Sequence, residues 1–114
     1  HAQELIASAD YLLIATIHHL DKMNAEGIDA LRHIAEYAEE NGLQMVLLSS
    51  ALPEDMEAFL YANHLDNLEF YFADMTAIET MARSNPGFVL MKEGKVQGKW
   101  HYKHAHNITS IELD

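Results

Sequence analysis

The chain contains no cysteine. That absence excludes disulfides, thiolate nucleophiles, cysteine-ligated zinc and iron–sulfur clusters. It says nothing about compartment, because a cysteine-free chain suits oxidising and reducing surroundings alike. No run of 18 apolar residues occurs, so no membrane-spanning helix is predicted within these 114 residues. The five glycines, Gly27, Gly42, Gly87, Gly94 and Gly98, are scattered and form no phosphate-cradling loop. A Gly-x-Ser-x-Gly nucleophile elbow is also missing. No cofactor is expected. Bases are scarce, seven against 18 acids, and the net charge is −11. A surface of that sign repels phosphate backbones, so nucleic acid is not expected as a partner. The opening His1-Ala2-Gln3-Glu4 has no initiator Met and no signal-peptide pattern, as expected of a mature form or of a fragment of a longer chain.

Apolar residues make up 49% of the chain, enough for one core and one domain over residues 1–114. Charge is unevenly placed. Residues 1–82 hold fifteen of the carboxylates and only two bases, Lys22 and Arg32. Residues 83–114 hold five bases, Arg83, Lys92, Lys95, Lys99 and Lys103, against three carboxylates. This basic end is either a solvated hairpin face or a surface that holds a small anion or an acidic partner.

Tyr11–Ile17 and Leu43–Ser49 are short, continuous apolar runs that predict strands buried on both faces. Between them, Asn24 is an N-cap, and Ile28, Leu31, Ile34, Ala35 and Ala38 follow at helical spacing to a stop at Asn41-Gly42. Pro53 opens a second helix with Met56, Phe59 and Leu60 inward. Leu68–Phe72 is a third strand. Asp74 caps a short helix that turns Met75, Ile78, Met81 and Ala82 inward. Phe88–Lys92, the turn Glu93-Gly94 and Lys95–Tyr102 form a hairpin, and Asn107 caps a helical stub with Ile108, Ile111 and Leu113. The predicted order is β-α-β-α-β-α-β-β-(α). It gives an α/β three-layer sandwich, a mixed five-stranded sheet with helices on both faces.

That order resembles the thioredoxin-fold superfamily. Ser84-Asn85-Pro86-Gly87, an apolar strand, Glu93-Gly94 and a strand running to Gly98 resemble its cis-proline loop and hairpin. More narrowly, Phe70–Asp74, Arg83–Gly87 and Lys99–Tyr102 resemble the C-terminal thioredoxin-like domain of bacterial DoxX-family membrane proteins. The resemblance implies a cis bond at Pro86 and transmembrane helices ahead of this domain in the full-length chain. It also implies a soluble domain attached to the bacterial inner membrane. In thioredoxins the Cys-x-x-Cys pair lies in the stretch matched here by His18–Asn24, which has none. Dithiol exchange needs an attacking thiolate and a resolving thiol. On that ground the chain is expected not to be an enzyme.

Candidate binding residues follow from the same comparison. The start of the first helix presents unpaired N–H groups, and the thioredoxin fold sets the proline loop beside it. His18, His19 and Asp21 are expected to face Asn85, Pro86 and Gly87 across a groove that takes an extended peptide or protein partner. Trp100 and Tyr102 either form an aromatic patch on an edge strand or pack under the terminal helix. Among eight histidines, His101, His104 and His106 are the densest group. They are weak metal candidates, because two ligands on one strand face make a poor zinc site without a third. The expected function is that of an accessory or binding domain of a DoxX-type membrane protein. The alternatives are a histidine-rich metal-binding domain and a purely structural assembly domain.

Overall fold

A computed structural model describes residues 10–111. Five strands form one sheet in the order β3-β2-β1-β4-β5. They are β1 (Tyr11–Ile17), β2 (Gln44–Ser49), β3 (Glu69–Phe72), β4 (Gly87–Lys92) and β5 (Lys95–His101). β1 pairs parallel with β2, and β2 with β3. β4 runs antiparallel to both β1 and β5. The helices are α1 (Ala25–Glu40), α2 (Pro53–Ala62) and α3 (Met75–Met81). The expected order and the mixed five-stranded sheet are those observed.

Central strand β1 is buried from Leu12 to Ile17, and its alternating side chains feed two cores. Leu13, Ala15 and Ile17 join Leu31 and Ile34 of α1, Met56 of α2 and Phe88 of β4 on one face. Leu12 and Ile14 join Val46, Leu48 and Val89 on the other, where Met81 and Ala82 at the end of α3 pack. A strand with helices on both sides has no polar face, which is why its sequence reads as an unbroken apolar run.

Local chemistry sets the element ends. The Asn24 side chain accepts from Gly27 N at 2.7 Å and Asp74 from Ala77 N at 2.9 Å, so both are the N-caps expected. Pro53 opens α2 at its first turn. Gly42 (φ +64°) ends α1 in the left-handed region. Glu93 (φ +50°) and Gly94 (φ +83°) both have positive φ, as a two-residue hairpin turn of the primed type requires.

The carboxyl end departs from expectation. β5 stops at His101, one residue early, because the His101 ring Nδ1 accepts from Lys103 N at 3.1 Å and turns the chain. A 3-10 segment, Tyr102–Ser110, then begins five residues ahead of the expected cap at Asn107. It buries Ala105 and Ile108 in the core shared with α1. Leu113 lies outside the described residues.

Candidate functional site

β1 delivers the chain to His18-His19, where it leaves the sheet. A 3-10 turn, Leu20–Lys22, then leads to α1. From the opposite side, α3 ends at Met81, and residues 82–86 cross to β4. The Asn85–Pro86 peptide bond is cis. Antiparallel pairing puts Thr16 opposite Gly87, so the exit of β1 and the entry of β4 are neighbours.

The Asn85 side chain locks these two segments together. Its Oδ1 accepts from His18 N at 2.9 Å and His19 N at 3.4 Å, and its Nδ2 donates to His19 O at 2.8 Å. One amide thereby satisfies main-chain groups beyond the end of the ladder, in the manner of one more strand pairing. His18 Nε2 donates to Ala82 O at 2.6 Å, which fixes the ring tautomer and ties β1 to the end of α3. Ser84 Oγ donates to Pro86 O at 2.9 Å.

Two glycines permit the close approach. A Cβ on Gly27, in the first turn of α1, would lie 2.8 Å from Pro86 Cδ. A Cβ on Gly87 would lie 2.5 Å from the Ala82 Cβ and 3.0 Å from Thr16 Oγ1. In the sequence Gly27 is one of five scattered glycines, with little to set it apart as a contact point. Its signal in the sequence was a glycine inside a helical pattern, which marks close packing when it is not a stop.

Two open grooves meet at His18. The first, of about 980 Å³, runs between α3 and β5 and is bordered by Arg83, Ser84, Lys99 and His101. The second, of about 520 Å³, lies on the opposite side of the β1 exit, bordered by His19, Asp21, Asp55 and Phe59. Of the expected residues, His18, His19, Asn85, Pro86 and Gly87 come together as one junction. Asp21 is exposed on the second groove, and Asn85 bonds to His18 and His19 instead. Trp100 is half-buried over Gly98, whose Cβ would lie 2.5 Å from Trp100 Cη2. Trp100 and Tyr102 both pack against the main core, and the Tyr102 hydroxyl accepts from Asn24 Nδ2 at 3.0 Å. Packing under the carboxyl-terminal segment thus describes them better than a free edge patch, although Trp100 also borders the first groove.

The rings of His101 and His104 have centroids 6.5 Å apart. The strand ends at His101 and does not continue to His104 and His106, which lie in the 3-10 segment and so share no strand face. Among the described residues, no three His, Asp or Glu side chains gather to hold a metal ion. The Tyr71 phenol on edge strand β3 is pushed above its ordinary pKa, first by its hydrogen bond to Glu69 and then by burial and the Glu69 charge. It borders neither groove.

No protein-family model matches the sequence, and no curated protein sequence does. Solved structures do match. A thiol-disulfide oxidoreductase from Bacteroides fragilis superposes with a TM-score of 0.68 at 17% identity, over 90% of this chain and 84% of that one. A domain of a possible thiol-disulfide isomerase from Cytophaga hutchinsonii gives 0.65 at 11%, over 90% and 74%. The thioredoxin domain of a thiol-disulfide oxidoreductase from Bacteroides vulgatus gives 0.62 at 13%, over 94% and 80%.

These neighbours correct the expectation that the chain is not an enzyme. The architecture is one on which oxidoreductases are built, so missing cysteines do not suffice to class the chain outside enzymes. What the sequence supports is narrower: these 114 residues supply no thiol of their own. At these identities the likeness speaks for architecture alone, and on that basis the chain has a thioredoxin-like fold.

Proposed function

We propose that this chain is a peptide-binding domain in which an extended polypeptide segment lies over the Asn85–Pro86 loop, between the two grooves that meet at His18. The observation that carries this reading is the Asn85 clamp. It fuses the β1 exit and the proline loop into one surface, and that loop lies just outside the ladder, which starts at the Thr16–Gly87 pair. Main chain held rigidly beside a sheet end is suited to pairing with another main chain, with flanking grooves receiving alternate side chains. The position, beyond the carboxyl ends of β1 and β2, is also where open α/β sheets commonly bind ligands. The resemblance to domains attached to DoxX-type membrane proteins extends the proposal to an accessory domain whose peptide partner belongs to, or is presented by, a membrane protein. Among the described residues, no helix is long and apolar enough to cross a membrane.

The test is amide chemical-shift mapping with peptides selected from a random extended library. Saturable shifts at His18, His19, Ser84 and Gly87, weakened about tenfold or more in Asn85→Ala, are expected. Shifts confined to other surfaces, or identical affinity in the variant, would refute it.

A further inference from the structure

The groove between α3 and β5 reverses the sign of the molecule around it. β5 pairs Lys99 with Val89, whose side chain lies in the core on the α3 face, so Lys99 projects toward α3. Its Nζ reaches Thr80 O only at 3.5 Å, a bond at the outer limit of useful geometry. Arg83 lies two residues past the end of α3 and borders the same space. Neither base forms an ion pair among the described residues, in a chain with 18 carboxylates to choose from. One carboxylate, Glu79, also lines the groove.

Several other polar groups there are already committed. Thr80 Oγ1 donates to Thr76 O, Ser84 Oγ to Pro86 O, and His18 Nε2 to Ala82 O. His101 is different. Its Nδ1 accepts from Lys103 N, which leaves the ring proton on Nε2. The donors left to a ligand are thus a guanidinium, an ammonium, an imidazole N–H and the Thr76 hydroxyl, of which the first two are charged. At physiological ionic strength charges are screened beyond about 8 Å, so a ligand in the groove responds to these bases more than to distant acids.

We propose that this groove is a binding site for an anionic group, a carboxylate or a phosphate, held by Arg83 and Lys99 with His101 Nε2–H as a third donor. Arg83 is suited to grip such a group by two parallel N–H bonds, and Lys99 acts as a point charge. The anion is either free or an acidic side chain of the segment over Asn85–Pro86. In the second case the inference rests on the peptide reading above.

Nitrogen-15 spectra that include the arginine Nε–H signals separate these cases. The probes are inorganic phosphate, succinate, and two capped pentapeptides, Ala-Ala-Glu-Ala-Ala and its Gln counterpart. Saturable shifts at Arg83 Nε–H and at the Thr80 and Lys99 amides are expected. They should weaken about tenfold or more in an Arg83→Gln, Lys99→Gln variant and stay unchanged in Lys22→Gln. Because both bases carry no fold-supporting ion pair, the variant's unliganded spectrum should keep the His18 and His19 amide positions. A Glu peptide that binds about tenfold tighter than succinate and the Gln peptide identifies a peptide side chain. Phosphate or succinate binding at least as tightly identifies a free anion. Absence of saturable shifts with every probe, or shifts that survive in the double variant, overturns the proposal. If the Gln peptide binds as well as the Glu peptide, with shifts at His18 and Gly87 and none from phosphate or succinate, the anion site is refuted and the peptide reading stands.

Discussion

Gly27 shows how one atom decides whether two segments meet. Glycine in a helix costs about 1 kcal/mol relative to alanine, so on propensity alone Gly27→Ala should stabilise. Here the new Cβ would press on Pro86 Cδ at 2.8 Å, a ring held in place by the Asn85 clamp. Overpacking of a buried contact costs about 1–3 kcal/mol, which outweighs the propensity gain. Urea denaturation of Gly27→Ala should therefore show a net loss. A gain near the propensity value would mean that the proline loop yields freely. Much at this scale was legible in advance. Asn24, Pro53 and Asp74 were recognisable as helix starts because capping chemistry is local, written within three residues. The Asn85 clamp was not legible. Nothing near residue 85 announces that its amide will match a turn 67 residues away, although the proximity of the two loops followed from the family resemblance. Gly27 was missed for the same reason, since its partner Pro86 is remote in sequence.

Among the elements, the hairpin and the carboxyl-terminal segment differ in how they read. The β4–β5 hairpin follows its turn signal closely, with strain at one point: Glu93 sits at φ +50°. Left-handed backbone costs a residue such as glutamate about 1–2 kcal/mol, and asparagine less. Glu93→Asn should raise stability by about 0.5–1 kcal/mol in chemical denaturation, since the Glu93 side chain is exposed and gives little up. No change or a loss would show that this exposed carboxylate has a role in the turn. The Tyr102–Ser110 segment was harder to read. Ala105, Ile108 and Ile111 recur every three residues, a spacing that suits an α-helical face and a 3-10 helix alike. The His101 side chain decides the matter by bonding Lys103 N and ending the strand, and sequence periodicity carries no record of that bond.

Across the whole molecule, charge and topology pull apart. The two central strands, β1 and β4, are buried from Leu12 to Ile17 and from Gly87 to Met91, and they anchor both cores. Those apolar runs made the sheet readable. The net charge of −11 works against that compactness through self-repulsion. The ion pair Arg32–Asp29, at 3.2 Å between exposed groups, offsets little of it. Raising sodium chloride from about 0.02 to 0.5 M shortens the Debye length several-fold and should raise the melting temperature at pH 7. A flat or falling melting curve with salt would mean that specific attractions outweigh the general repulsion.

Trp100, folded over Gly98 on the face of β5 that joins the main core, is the chain's one tryptophan. Indole emission responds to local polarity and quenching, so the intrinsic fluorescence of the unlabelled protein is a single-site optical reporter for this edge. Lys99 and Trp100 are successive strand residues and point to opposite faces, so the indole watches the α1 side of this edge: its emission should follow the docking of the Tyr102–Ser110 segment and stay unchanged when a ligand seats beside Lys99.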